Sequence, residues 1–298
     1  MKKYFFISMA VLALLFTACK KDDDSSGDDA SSNNNNNNDD TEQVQTLPVP
    51  VKIIDNSQNP FQVISFGQAL WHQTTKNSND AKSTSTTTIE YDGRVVLSKT
   101  TDNGSEVTVR TYYYNNAEKG LLDSIVITKN QQFEGVAKYT ISNDKIQAMK
   151  MYDSGRNLVE EDTFTYNGDK VSQFTTTLQT AYGPLNMTNV ITYTGDDMTG
   201  FTVTGDFAGY PLDGNYSFDY DDKNYTELNV VTLEYPFVFE HNMLSLSSNI
   251  TVAGQTYSTQ NDYSYTYNTD DYPIESNYTL TNANGTTSGT ASYEYENK

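Results

Sequence analysis

Side chains suited to catalysis are scarce in this chain, and their spacing argues against the familiar arrangements. There are two histidines, His72 and His241, and one cysteine, Cys19, in 298 residues. A Ser-His-Asp arrangement would need one of those histidines beside a serine on a strained turn, and no nucleophile-elbow sequence supplies it. Neither histidine has further ligands at metal-binding spacing. Carboxylate groups are commoner: Glu160-Glu161-Asp162, Asp221-Asp222 and Asp270-Asp271. Two carboxyls at a suitable distance suffice for glycoside hydrolysis, but in so acidic a chain these groups read as solvated residues of turns and strand ends. The oxygen-rich turns at Asp196-Asp197 and Asp219–Asp222 offer ligands for a structural calcium ion, although no EF-hand loop is present. No other cofactor and no catalytic residue is expected.

The elements that position these residues are set by a repeat. An aromatic, one residue, an aromatic or Ile, a polar turn and an aliphatic recur as Tyr112-Tyr113-Tyr114, Tyr139-Thr140-Ile141, Phe164-Thr165-Tyr166, Ile191-Thr192-Tyr193, Phe218-Asp219-Tyr220, Phe237-Val238-Phe239, Tyr265-Thr266-Tyr267 and Tyr293-Glu294-Tyr295, after an opening copy ending Tyr91-Asp92-Gly93. The last residues of the phrases lie at 91, 114, 141, 166, 193, 220, 239, 267 and 295, with one short step of 19 between 220 and 239. Tyr, Thr, Val, Ile and Phe at period two, punctuated by Asn, Asp and Gly, are strand chemistry. A second turn between phrases, such as Asp102-Asn103-Gly104 or Asp153-Ser154-Gly155, makes each unit a hairpin. The expectation is an all-β fold, an antiparallel meander of about 16–18 strands in about nine hairpin repeats over residues 85–298. It forms a strongly curved sheet or a closed barrel.

Alternation puts Tyr216, Phe218 and Tyr220 on one face, as it does Tyr235, Phe237 and Phe239, and Tyr263, Tyr265 and Tyr267. The opposite positions are Thr, Ser, Asn, Asp and Gln. Segments such as Thr175-Thr176-Thr177 supply no apolar band, so the sheet is not expected to span a membrane. Trp71, Tyr210 and Tyr272 fall outside the phrase and are the expected ligand-facing rings. Tyrosines flanked by Asp, Asn and Thr suit stacking on sugars, so a glycan or a surface protein is the expected partner. The alternatives are a structural role with no small ligand and, third, an exported hydrolase.

Residues 47–84 precede the repeat. Leu47-Pro48-Val49-Pro50 reads as a stiff exit from a linker, and Val63–His72 holds the only tryptophan, Trp71; the segment is expected to form an edge strand, a brief helix or a plug inside the curled sheet. Residues 20–46 are polar, with Asp22–Asp24, six asparagines from Asn33 to Asn38, then Asp39-Asp40, and they cannot bury enough apolar surface to order themselves. Residues 1–18 have a basic start at Lys2-Lys3, an apolar run from Phe5 to Phe16 and a small-residue approach, which is a secretory signal and too short for a membrane span. Its removal leaves 17 basic and 39 acidic side chains, a net of −22. With no basic stripe, nucleic acid is excluded as a partner.

Leu15-Phe16-Thr17-Ala18-Cys19 resembles the lipobox of bacterial lipoproteins, with Phe16 bulkier than usual. The resemblance implies cleavage before Cys19 and lipid (palmitate-type) acylation there, anchoring residues 19–46 as a tether to a membrane; two or three acyl chains hold a protein stably. Lys21-Asp22-Asp23 resembles the export signal of Bacteroidota surface lipoproteins and implies the outer membrane, facing outward. Residues 85–298 resemble a Bacteroidota lipoprotein domain of unknown function with a porin-like fold. They resemble more loosely the Tyr-Asp repeats of Rhs-type shells, at Glu90-Tyr91-Asp92-Gly93-Arg94-Val95. Neither resemblance implies a catalytic residue.

Overall fold

A computed structural model describes residues 47–55 and 84–297, apart from Ala181, Tyr182, Ala208, Glu227, Leu228, Leu233, Val238 and Asn284. The described residues form sixteen strands and no helix. The first eight are β1 (Pro48–Asp55), β2 (Ser85–Asp92), β3 (Val95–Asp102), β4 (Val107–Asn116), β5 (Leu121–Lys129), β6 (Gln132–Ser142), β7 (Lys145–Asp153) and β8 (Leu158–Asn167). The rest are β9 (Lys170–Thr180), β10 (Gly183–Thr194), β11 (Asp197–Phe207), β12 (Tyr210–Asn224), β13 (His241–Val252), β14 (Gln255–Tyr267), β15 (Pro273–Asn282) and β16 (Gly285–Asn297).

Each strand pairs antiparallel with the next, and β1 also pairs with β16 from Pro48↔Asn297 to Asp55↔Ala291, so the meander closes into a barrel. The N-terminal extension was expected as an edge strand, a helix or a plug. Val63–His72 lies outside the described residues; the first part of the extension, β1, is a stave of the wall, paired with both β16 and β2, and closure removes the unpaired edges that an open sheet would expose. Pro48 and Pro50 are tolerated because a proline needs only the acceptor side of its ladder.

One mouth of the barrel, called near here, holds the start of β1 and the turns after β2, β4, β6, β8, β10, β12 and β14. At this mouth every phrase that lies in the wall ends in the same way. The odd strand that follows carries one extra residue opposite the last residue of the phrase: Thr165 pairs Gln173 and Tyr166 pairs Val171, leaving Ser172 as the bulge. The same offset leaves Leu97, Asp123, Gln147, Thr199, Leu244, Ile274 and Val51 as bulges. A bulge frees backbone groups of the odd strand, and a tyrosine of the next repeat satisfies them. Tyr91 Oη donates to the Pro50 carbonyl, Tyr166 to Ile146, Tyr220 to Met198, Tyr265 to Met243 and Tyr295 to Pro273.

The turn chemistry interlocks the repeats as well. In the turns after β2, β8 and β10 the first loop residue is Gly93, Gly168 or Gly195, with φ between 56° and 61°, which matches the two-residue hairpin turns that want a positive φ there. The lysine that opens β7 or β9 reaches into the next repeat. Lys145 Nζ donates to the Gly168 carbonyl and lies over the Tyr166 ring, and Lys170 does the same to Gly195 and Tyr193.

Eight hairpin units, not nine, make the wall. In the copy at Phe237-Val238-Phe239 the two phenylalanines are in no strand: they belong to the connection from β12 to β13, whose described residues fold into the barrel. This accounts for the short step in the repeat.

Burial alternates along the strands, as in β9, where Val171, Phe174, Thr176 and Leu178 are buried between partly exposed neighbours. The buried set, including Phe164, Phe201, Phe218 and Leu246, faces the lumen. The outward positions of β8–β11 carry Thr163, Thr165, Thr175, Thr177, Thr188, Thr192, Thr202 and Thr204, and neighbouring hydroxyls bond to each other, Thr163 to Thr175 at 2.6 Å.

Candidate functional site

The described residues between β12 and β13 cross the near mouth and touch strands on several sides of it, which places them within the lumen. At their start Asn229 Nδ2 donates to the Pro48 carbonyl of β1 and to the Tyr272 hydroxyl. Val231 N–H donates to the Arg94 carbonyl at 3.1 Å. Val231 passes so close to Gly120 that a Cβ there would lie 1.7 Å from the Val231 oxygen. Thr232 Oγ1 accepts from the Val96 backbone at 2.8 Å and bonds the Tyr114 hydroxyl. Further on, Phe237 is 1% exposed and meets Phe164 and Phe174 edge to face, with centroids 6.0 and 5.5 Å away. Phe239 packs on Tyr220 and Tyr225. The segment is a plug with an aromatic centre.

Its charged anchor is Glu234. The carboxylate lies 3.1 Å from Lys99 Nζ and accepts from the Tyr112 hydroxyl at 2.7 Å. Burial alone would raise this carboxyl. The charges of Lys99 and Arg110, with the hydrogen bonds from Tyr112 and Lys99, hold it below its ordinary value instead. At the other end of the plug, Asp197 accepts from the backbone N–H of Glu240 and bonds His241 Nδ1 at 2.6 Å. Burial would lower the His241 pKa, but the Asp197 hydrogen bond and charge raise it, aided by Glu240 and Asp221.

A second polar group lies deeper. Glu160 and Asp162 face the lumen from β8, 2% and 1% exposed, and they are hydrogen-bonded to each other. They were expected as solvated carboxylates; the alternation of β8 turns them inward and leaves only Glu161 outside, where it pairs with Lys150 at 3.0 Å. Burial pushes Asp162 up to about 7 against the pull of hydrogen bonds from Thr176 and Glu160. Burial and the Asp162 charge together hold Glu160 well above the usual carboxylate range. Glu160 Oε2 and Asp162 Oδ2 have no hydrogen-bond partner among the described residues. Two carboxyls bonded to each other leave no gap for a sugar ring between them, which hydrolysis by this pair would need.

The residues singled out from the sequence are scattered. Cys19, Trp71 and His72 lie outside the described residues. Tyr210 opens β12 at the far mouth and is 59% exposed. Tyr272 is 6% exposed, at the near mouth, where its ring packs on Tyr295 and its hydroxyl accepts from Asn229. These two rings sit at opposite ends of the barrel, with Tyr272 serving the plug. Asp197 and Asp221, offered as calcium ligands, are engaged by donors: Asp221 accepts from the backbone of Lys223 and Asn242 and from the Tyr267 hydroxyl. Among the described residues no three of His, Cys, Asp and Glu are grouped to hold a metal ion. Sequence reasoning missed Lys99, Tyr112 and Glu234; the signal available was the 19-residue step at the plug.

No family model matches the sequence, and no curated protein matches it. Among solved structures the chain is similar to a porin-like protein from Bacteroides uniformis, with a TM-score of 0.48 and 13% identity, covering 83% of this chain and 96% of that one. It is also similar to a porin-like protein from Bacteroides vulgatus, with a TM-score of 0.42 and 10% identity, covering 83% and 98%.

Proposed function

We propose that this chain is a lipid-anchored barrel that stands in water at the cell surface and acts as a non-enzymatic binding or interaction module. The observation that carries the reading is the polarity of the wall. A barrel that crosses a bilayer turns apolar side chains outward and keeps polar ones within, whereas here the outward positions hold rows of threonine and the lumen holds phenylalanine, leucine and methionine. Moving so many hydroxyls into hydrocarbon would cost far more than their mutual hydrogen bonds return. The plug across the near mouth supports the same reading, because it fills the route an ion would take.

Partners then meet the outer wall or the far mouth, where Tyr113, Phe133 and Tyr210 are 51%, 40% and 59% exposed. Glycans suit such rings when hydroxyl and amide side chains lie beside them. Lipidation at Cys19, with the tether of residues 19–46, would attach the barrel through β1 at its plugged mouth. A purely structural role in the envelope is the second reading, and the filled lumen favours it.

Four measurements test it. Addition of the mature protein to planar bilayers should give no conductance, and protease should shave it from intact cells; stable ion-conducting insertion would end the water-facing reading. Cys19→Ser should abolish palmitate labelling, and labelling that persisted would remove the anchor. A glycan panel probed with wild type and Tyr210→Ala tests the carbohydrate version.

A further inference from the structure

The outer wall changes character on three neighbouring strands. Elsewhere its positions are mainly hydroxyl and amide, but β4, β5 and β6 present Val109, Tyr113, Val126, Phe133 and Val136. Val126 pairs Val136 across the β5–β6 seam, and Thr128 pairs both Val109 and Phe133, so these side chains share the outer face of three adjacent strands, with Thr111, Ser124 and Thr128 between them. Leu97, the bulge residue of β3, adds to the exposed apolar surface at 44% exposure. An exposed apolar area on a water-facing wall marks a contact surface.

The charges within the patch narrow the choice of partner. Lys138 lies over the Tyr152 ring at 5.9 Å and has no carboxylate within ion-pair distance among the described residues, whereas every other described lysine has one. This is unusual in a chain of 39 acidic and 19 basic side chains. On the adjacent strand Asp123, the β5 bulge residue, is exposed and bonded only by the Ser124 hydroxyl. Ser124 is the register partner of Lys138, so Asp123 and Lys138 stand side by side, next to the Val126–Val136 pair. The other charges nearby are Lys150 and Glu161, which pair with each other, and Glu134 beside Phe133.

One apolar centre flanked by a cation and an anion, neither ion-paired among the described residues, is self-complementary under a two-fold rotation, as a symmetric dimer interface requires. We propose that the outer face of β4–β6 binds a second copy of this chain. The two-fold axis runs through the β5–β6 seam, sets Val126 and Val136 of the two copies together, and brings Lys138 of each copy to Asp123 of the other. The contact rests on the water-facing reading of the wall. Anchoring both copies on one membrane would raise their effective concentration and favour even a modest interface.

Sedimentation equilibrium of the mature lipidated protein in detergent micelles, over a range of concentrations, tests it. Wild type should dimerise. Lys138→Asp and Asp123→Lys should each weaken the dimer by roughly tenfold or more, because like charges then face each other twice, and the double variant with both changes should restore it. Val126→Cys combined with Val136→Cys should cross-link the two copies as a disulfide. A monomer at every concentration, a dimer indifferent to either reversal, or failure of the double variant to recover would overturn the proposal. A monomer that also conducts no ions would leave the water-facing reading standing.

Discussion

Two copies of one sequence phrase have opposite fates in this barrel. Phe218-Asp219-Tyr220 lies in β12, with Phe218 and Tyr220 turned to the lumen and Asp219 outside, where Ser245 donates to it. Of Phe237-Val238-Phe239, Phe237 and Phe239 lie in the plug, each 1% exposed. Local propensity for a strand is the same in both. What differs is what surrounds them: β11 and β13 offer ladders to β12, while the closed wall has no edge left for residues 225–240. The rings are buried either way. In the wall they are the inner surface of a sheet, and in the plug they are the filling that a sixteen-strand circumference requires, since side chains from the wall alone do not fill so wide a barrel.

If the plug is part of the core, Phe237→Ala should be as damaging as a substitution within the wall, about 3–5 kcal/mol by urea denaturation. A loss below about 1 kcal/mol would make the plug a loosely held loop. Glu234→Ala comes next, at roughly 3 kcal/mol, because it leaves Lys99 and Arg110 facing a buried space without their carboxylate. Replacing Glu234 and Lys99 together by leucine and methionine should recover most of that loss, which would separate the charge from the packing.

The acid pair sets a pH dependence in the wall half of the comparison. Glu160 and Asp162 have folded pKa values above their unfolded ones, so the folded state binds more protons. Their contribution is therefore fully present below about pH 4 and is lost as pH rises through about 7 for Asp162. Thermal stability should fall across that window in wild type. The fall should be smaller in a Glu160→Gln, Asp162→Asn double variant, where His241, whose pKa the Asp197 contact also raises, still loses its contribution over part of the window, while a fall of undiminished size in that variant would assign the dependence elsewhere. The smallest expected effect is that of Tyr166→Phe, about 1 kcal/mol, from leaving the Ile146 carbonyl at the bulge without its donor. A neutral result would mean that the Tyr-to-carbonyl bonds specify the repeat geometry without stabilising it.

Much of this was legible in the sequence. Period-two alternation with Tyr, Thr and Val made strands, and Gly-Asp and Asn-Asp steps made tight turns. The recurrence of the phrase made a meander with few long connections, because hairpin chemistry acts within about ten residues. The step of 19 after Tyr220 also showed that something interrupts the repeat.

What only the tertiary structure decided is how the meander ends and what lies inside it. A repeat says that each strand pairs with the next, but not that the last will meet the first; that depends on twist and stagger summed over all sixteen strands and on residues 48–55, which carry no repeat phrase. Closure then fixed the rest. It turned Glu160 and Asp162 from apparently solvated carboxylates into a buried pair sharing a hydrogen bond. It denied Phe237 a strand partner, and it brought Lys99, Tyr112 and Glu234 together across as many as 135 positions of sequence. Residues so far apart leave no local pattern, since only the geometry of the closed wall makes them neighbours.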